Sequence, residues 1–104
     1  MKPEEILKAV IDITYEGSYA TWKGVTTVRT LDGLAILSYN DTRITFYVPA
    51  YNPNVADHVI AEKYGDYDMA ALDAPTLKRI LELYLHRKKK AYAKYSRILH
   101  LDDK

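Results

Sequence analysis

Two groups of aromatic and basic side chains in this sequence have the chemistry to contact an unpaired nucleic-acid strand. An aromatic ring can stack on a base, which contributes about 1–3 kcal/mol without any readout of sequence. Lysine and arginine neutralise phosphates and release their counterions. The first group is Trp22, Lys23, Thr27, Arg29, Arg43, Thr45 and Tyr47. The second group is Arg87, Lys88, Lys89, Lys90, Tyr92 and Lys94. Both groups are therefore candidates for binding single-stranded DNA or RNA.

The second group has a simpler explanation as well. It belongs to the run from His86 to Arg97, which contains six lysines or arginines and no acid. Cations near the C-terminal end of a helix complement the helix dipole, so the run is also typical of a solvated helix end. Both interpretations stay open at this point.

Carboxylates are the main candidates for catalysis. Asp66 and Asp68 form an Asp-x-Asp pair that could hold Mg²⁺ through oxygen ligands, with Glu62 one helical turn earlier. Asp68 and Asp73 are, however, well suited to capping helices. The three histidines lack metal-ligand spacing, and the chain has no cysteine and no glycine-rich phosphate loop. We therefore expect no enzyme, no metal and no cofactor, and a Mg²⁺-dependent nuclease is the least favoured function.

A hairpin meander must position the first group. An amphipathic helix is predicted over residues 3–12, and β-branched and aromatic residues then dominate to residue 48. Lys23-Gly24, Asp32-Gly33 and Asn40-Asp41 mark three two-residue turns. They predict a four-stranded antiparallel sheet over about residues 15–48.

The turns predict a register, and period two then divides the side chains between two faces. The predicted pairs are Trp22 with Val25, Leu31 with Leu34, and Tyr39 with Thr42. The predicted core face carries Tyr19, Thr26, Val28, Ala35, Leu37, Tyr39, Ile44, Phe46 and Val48. The predicted outer face carries Trp22, Val25, Thr27, Arg29, Ile36, Ser38, Arg43, Thr45 and Tyr47. One side of an antiparallel sheet can face water, so the outer face is free to bind a ligand or a subunit.

Two further helices are predicted after the sheet. Asn52-Pro53-Asn54 is typical of a helix N-cap followed by proline, which predicts a short helix over about residues 53–64. Asp73-Ala74-Pro75 starts a long helix over about residues 75–100, which carries a coiled-coil-like apolar seam interrupted by Lys88. The predicted fold class is α+β, with the helices backing one sheet face.

Length and composition set the broad class. At 104 residues and 48% hydrophobic content, the chain fits a single domain over residues 1–104. No apolar stretch is long enough to span a bilayer, and the start lacks a signal-peptide pattern, so we expect a cytoplasmic protein without a membrane partner. The net charge of +1 means that an anionic partner must be met by a local patch.

The layout resembles the ThermoDBP group of archaeal single-stranded DNA-binding proteins. The residues that carry the likeness are the helix at 1–12, the three turns and the segment from Asp73 to Leu81, so it covers nearly the whole chain. The resemblance implies sequence-tolerant binding of single-stranded DNA, in preference to RNA, by a homodimer or larger homo-oligomer of a thermophile. Absence of Gln and Cys agrees with a hot habitat. Lys88 departs from this pattern, because a cation interrupts the seam that would pair two helices.

A protein-interaction or adaptor module, of cellular or viral origin, is the alternative function. An exposed apolar patch usually marks a partner of some kind. Trp22, Val25, Ile36 and Tyr47 would then form an oligomer or partner interface on the outer face. The sequence leaves the ligand platform and the subunit interface equally open.

Overall fold

The chain forms an α+β structure with one antiparallel sheet. The computed structural model describes residues 1–56 and 58–102, with side chains as far as residue 94. In chain order the elements are α1 (Pro3–Thr14), β1 (Ser18–Trp22), β2 (Val25–Arg29), β3 (Ala35–Tyr39), β4 (Arg43–Tyr51), β5 (Val59–Asp68) and α2 (Ala74–Asp102). The strands lie in sequential order, and each pairs antiparallel with its neighbour. The meander and both terminal helices were predicted, but the sheet has five strands and not four.

The predicted helix over residues 53–64 is wrong, because the second half of this segment, residues 59–64, belongs to β5. Asn52 does not cap a helix: its side chain accepts a hydrogen bond from the Asn54 N–H at 2.9 Å, and its N–H donates to the His58 carbonyl at 2.9 Å. These bonds close a hairpin loop. β5 then pairs along the whole of β4, from Tyr51 opposite Val59 to Arg43 opposite Asp68. The long pairing outweighs the local helical pattern.

The register of the first hairpin was predicted correctly. Trp22 pairs with Val25, and the intervening Lys23 and Gly24 have φ of 50° and 79°. Positive φ at both central residues defines a type I′ turn. At the third turn the prediction was displaced by two residues, since Tyr39 pairs with Ile44 and not with Thr42. A displacement of two leaves every side chain on its predicted face.

The second turn contradicts the predicted pairing of Leu31 with Leu34. The Thr30 N–H donates to the Leu34 carbonyl at 2.8 Å, and the Leu34 N–H donates to Thr30 Oγ1 at 2.9 Å, so the loop holds three residues. Beyond it Arg29 pairs with Ala35 but Val28 pairs with Leu37, which makes Ile36 the extra residue of a β-bulge.

The bulge changes the predicted position of Ile36. This side chain is only 1% exposed and belongs to the core, so its placement on the outer face was wrong. Tyr19 departs in the other direction. It pairs with Val28 and shares the core side, yet it is 64% exposed because β1 is an edge strand.

Both helices pack on one face of the sheet. Ile6 and Val10 of α1 meet Leu77 and Leu81 of α2 in one apolar cluster with the inward side chains of the strands. The predicted core residues Val28, Leu37, Tyr39, Ile44, Phe46 and Val48 are all buried. At 29 residues α2 is about 44 Å long. No helix in the described ranges is long and apolar enough to cross a membrane.

Candidate nucleic-acid interface

The outer sheet face presents cross-strand rows of polar and aromatic side chains. Its middle row contains Thr27, Ser38 and Thr45, which the pairing places side by side on β2, β3 and β4. All three are half-buried, as expected on a face where α1 and α2 do not pack. The row is small and polar, so the bulky and charged groups around it decide what the face can bind.

Trp22 is the most prominent side chain of this face. It ends β1 and is 75% exposed, and Lys23 Nζ lies 5.7 Å from the centre of its ring. The I′ turn holds both residues at the tip of the first hairpin. An exposed indole with an ammonium group beside it can stack on a base while the cation meets the phosphate.

Tyr47 is too far from Trp22 to act on the same base. β1 and β4 are three inter-strand spacings apart, or about 14 Å. The two residues also lie four positions apart along the strands, or about 13 Å. Tyr47 is half-buried, whereas Arg29 and Arg43 are exposed. The two aromatic residues would therefore meet different nucleotides of one strand.

Acids restrict the positive surface to the β1–β2 side. Asp68 of β5 lies opposite Arg43 in the strand register. Thr45 donates a hydrogen bond to Asp66 Oδ1 at 2.5 Å. Lys63 lies 2.6 Å from the other oxygen of Asp66. The hydrogen bond from Lys63, then that from Thr45, lowers the pKa of Asp66, which keeps this carboxylate charged. Phosphates are favoured near Lys23 and Arg29 and disfavoured near β5.

Glu62, Asp66 and Asp68 do not form the arrangement that was predicted to hold Mg²⁺. Glu62 lies on a strand and not one helical turn before Asp66, and Asp68 accepts a hydrogen bond from the Ala70 N–H at 3.0 Å. Asp73 accepts from the Thr76 N–H at 2.9 Å and caps α2, as predicted. Hydrogen bonding from the Thr76 side chain, and then from its N–H, lowers the pKa of Asp73. In the described part of the chain no group of three or more acids or histidines is placed to hold a metal.

The basic run of α2 does not join the outer face, because α2 packs on the opposite side of the sheet. The two groups therefore lie on different surfaces of the protein. The run is also divided in itself. Arg87, Lys90 and Lys94 line a cleft of about 170 Å³ against the end of β4, whereas Lys88 and Tyr92 face the loop after α1 and the second turn. Lys89 is exposed.

Lys88 makes an intramolecular ion pair. Its ammonium group contacts Glu16, and both side chains are about three-quarters buried. Tyr92, one turn later, donates a hydrogen bond to Asp32 Oδ2 at 3.2 Å. Asp32 also accepts from the Thr30 hydroxyl, which is the main reason that its pKa is lowered. Lys88 and Tyr92 thus hold α2 against the end of the sheet, and this accounts for the cation that interrupts the apolar seam.

The cleft contains one residue that the sequence did not single out. Tyr51, the last residue of β4, stacks on His58 with 6.2 Å between ring centres, and Lys94 Nζ lies 5.7 Å from its ring. Among the residues with described side chains, none forms an ion pair with Arg87, Lys90 or Lys94. Period two continued past Val48 would place Tyr51 on the outer face, so the sequence carried no local signal for a ring beside α2.

Comparison with known proteins adds no relative. No family model, curated protein or solved structure matches the chain. The resemblance to the ThermoDBP group stays a prediction, and the arguments for function come from the residues themselves.

A cluster of exposed apolar side chains lies near β1, and the sequence predicted only Trp22 and Val25 of it. Of the seven large apolar side chains that are exposed in the described part of the chain, five lie on β1, opposite it on β2, or on the segment leading into it. They are Ile11, Tyr15, Tyr19, Trp22 and Val25. The sequence placed Tyr19 in the core and did not distinguish edge strands, so this concentration at one edge became visible only in the fold.

Proposed function

We propose that this protein binds single-stranded nucleic acid, DNA in preference to RNA, without strong dependence on sequence. The observation that carries the proposal is the exposed Trp22 with Lys23 against its ring, on a sheet face that neither helix covers. Arg29 supplies a second cation on the neighbouring strand, and the acids lie at the far edge. The face can therefore stack bases and neutralise phosphates at the same place.

The division of the basic run changes the roles of the α2 residues in this proposal. Arg87, Lys90 and Lys94 remain available to a strand that passes round the end of β4, where Tyr51 offers a ring. Lys88 and Tyr92 are engaged within the chain and act in folding. The proposed contacts are therefore centred on β1 and β2, with Arg43, Thr45 and Tyr47 as the flank nearest the acids.

A fluorescence titration with oligo-dT tests the proposal. Stacking on a base should quench the emission of Trp22, which is the only tryptophan in the chain. Affinity should fall with salt by roughly 0.7 log units per log unit of salt for each neutralised phosphate. A titration that stays flat at low salt contradicts the proposal. A parallel titration with oligo-U shows whether the protein binds DNA more tightly than RNA.

Matched variants show whether the outer face is the site. Trp22→Ala should weaken binding by about 1–3 kcal/mol, measured by the anisotropy of a labelled oligo-dT, and Trp22→Tyr should restore most of it. Arg29→Ala should reduce the slope of log affinity against log salt by about 0.7, the value for one phosphate contact. Lys78→Ala is the control, because Lys78 is paired with Glu82 on α2. Equal losses in Arg29→Ala and Lys78→Ala would point to a diffuse charge effect.

A protein-interaction module is the second candidate function. The observation in its favour is the cluster of exposed apolar side chains at β1, since scattered exposure would need no explanation and concentrated exposure does. Assembly that is insensitive to salt, without affinity for oligonucleotides, would favour this function.

A further inference from the structure

The two edges of the sheet differ in how they are protected. β5 carries Glu62, Lys63, Asp66 and Asp68, and a register shift interrupts its pairing with β4. Charges and bulges of this kind prevent an edge strand from pairing with another chain. β1 has the sequence Ser-Tyr-Ala-Thr-Trp and pairs with β2 without a register shift. It has no charge and no proline, so its edge is open to another strand.

The first turn determines which backbone groups of β1 are available. A two-residue hairpin places its flanking residues, Trp22 and Val25, in a hydrogen-bonded pair, and such pairs alternate along the ladder. Ala20 therefore bonds to β2 through Thr27. Tyr19 and Thr21 direct their N–H and C=O groups away from β2, towards the free edge.

We propose that this edge pairs antiparallel with β1 of a second copy, about a two-fold axis at Ala20. Tyr19 of each copy then exchanges both backbone hydrogen bonds with Thr21 of the other, and the two Ala20 residues form the close pair at the axis. The result is one continuous sheet of ten strands. This inference rests on the edge and its packing, and it does not depend on nucleic-acid binding.

Charge and apolar area favour a second copy as the occupant. β1 has no charged side chain, and an antiparallel pair places the Lys23 residues of the two copies at opposite ends of the contact, whereas a parallel pair would bring the two lysines together. The exposed side chains on the helix side of the edge are Ile11, Tyr15 and Tyr19, which are 53%, 89% and 64% exposed. In the two-fold dimer, the strip of each copy would lie beside the strip of the other copy and be covered by it.

Ile11 and Tyr15 extend the contact beyond the strand itself. A Cβ built on Gly17, the residue before β1, would lie 4.0 Å from Ile11 Cγ1, which shows that the end of α1 reaches the edge. Strand pairing supplies direction through its hydrogen bonds, and the apolar strip supplies the area that five residues alone lack.

The pairing also completes the outer face. Trp22 of one copy comes opposite Ser18 of the other, and Ser18 pairs with Arg29 within its own chain. Trp22 of the first copy and Arg29 of the second copy then lie in one row, two inter-strand spacings or about 10 Å apart. Within a single chain they lie four residues apart along the strands. The dimer thus places two indoles and two guanidinium groups at its centre, away from the acids of β5.

Disulfide trapping tests the register. The chain has no cysteine, and a close antiparallel pair lies within the Cα separation of a disulfide. Ala20→Cys should form a covalent dimer when oxidised glutathione accepts the electrons of the two thiols. Ser18→Cys and Tyr64→Cys, on the same edge and on β5, should form no disulfide-linked dimer. Linkage of all three variants at the same rate, or of Ser18→Cys alone, overturns the proposal.

Sedimentation without nucleic acid tests the association itself. The wild-type chain should pass from a 12.0 kDa monomer to twice that mass as concentration rises. Thr21→Pro removes an N–H that points away from β2, so it should abolish the dimer with an unchanged circular dichroism spectrum. Tyr19→Lys should do the same if the proline variant fails to fold, and Tyr64→Lys is the control.

The two proposals can fail separately. A wild-type chain that stays monomeric at every concentration, or that dimerises equally well with Thr21→Pro or Tyr19→Lys, overturns the strand pairing even if oligo-dT still binds. A dimer without affinity for oligo-dT contradicts the proposed function and leaves the strand pairing intact. Dimerisation that is lost in Tyr64→Lys would place the interface at β5.

Discussion

The side chains of Trp22 and Tyr84 show how burial decides what an aromatic residue does. Trp22 is exposed and lies beside Lys23, so its indole is available to a ligand. Tyr84 of α2 lies in the core, and its hydroxyl has no hydrogen-bond partner among the described residues. Burial raises the pKa of Tyr84, with smaller effects from Glu16, Tyr92 and Asp32, so the hydroxyl is kept neutral.

Tyr84→Phe should leave the protein as stable as the wild type or make it more stable by up to about 1 kcal/mol. The reason is that a buried hydroxyl without a partner costs its desolvation energy, and phenylalanine removes that cost without leaving a cavity. Urea denaturation measures the change.

Tyr92→Phe is the matched control, because it deletes a hydrogen bond to Asp32 and should cost about 0.5–1.5 kcal/mol. A loss of stability in Tyr84→Phe that equals the loss in Tyr92→Phe would show that the Tyr84 hydroxyl is bonded.

At the scale of the elements, the first hairpin combines a structural demand with a proposed function. Its I′ turn needs positive φ at two residues, which Gly24 adopts freely and Lys23 does not. Lysine in this position is less favourable than asparagine would be. A cation at the turn is explained if it contacts a ligand, since the turn itself gains nothing from it.

Lys23→Asn should therefore change stability and binding in opposite directions. Relief of the left-handed conformation should stabilise the fold by roughly 0.5–1 kcal/mol. Loss of one cation should reduce the salt dependence of oligo-dT binding by about 0.7 log units per log unit of salt. Thermal unfolding and salt titrations measure the two effects.

Gly24→Ala supplies the comparison for this turn. A Cβ at Gly24 meets no atom within 4 Å, so the destabilisation expected there comes from its φ of +79° alone. If Lys23→Asn destabilises the protein, or leaves the salt dependence unchanged, the role given to this lysine is wrong.

At the scale of the whole molecule, the ion pair between Lys88 and Glu16 joins the two ends of the chain. Glu16 follows α1, and Lys88 lies in the second half of α2, so the contact bridges segments 72 residues apart. Both groups are partly shielded from water, which makes the loss of one partner more costly than at an exposed site.

Lys88→Ala should destabilise the protein by about 1–3 kcal/mol, because it leaves the carboxylate of Glu16 partly buried without its partner. Lys89→Ala removes the same charge from an exposed position and should stay within about 0.5 kcal/mol of the wild type. Urea denaturation of both variants gives the comparison. Equal effects would mean that Lys88 is an ordinary surface cation.

The sequence by itself determined the features that depend on neighbouring residues. Turn residues and period-two alternation are local, so they were sufficient for the meander, the pairing at Trp22 and the division of most side chains between two faces. The cap at Asp73 and the start of the long helix were likewise predictable, because capping is a contact between residues three positions apart.

Only the tertiary structure decided the features that depend on distant partners. β5 forms because nine pairs with β4 outweigh a helical pattern of a few residues, and the bulge at Ile36 follows from filling the core. The same holds for function. The two basic groups lie far apart in sequence, and packing of α2 on the opposite side of the sheet separates them, engages Lys88 within the chain, and leaves Trp22, Lys23 and Arg29 exposed beside an open edge.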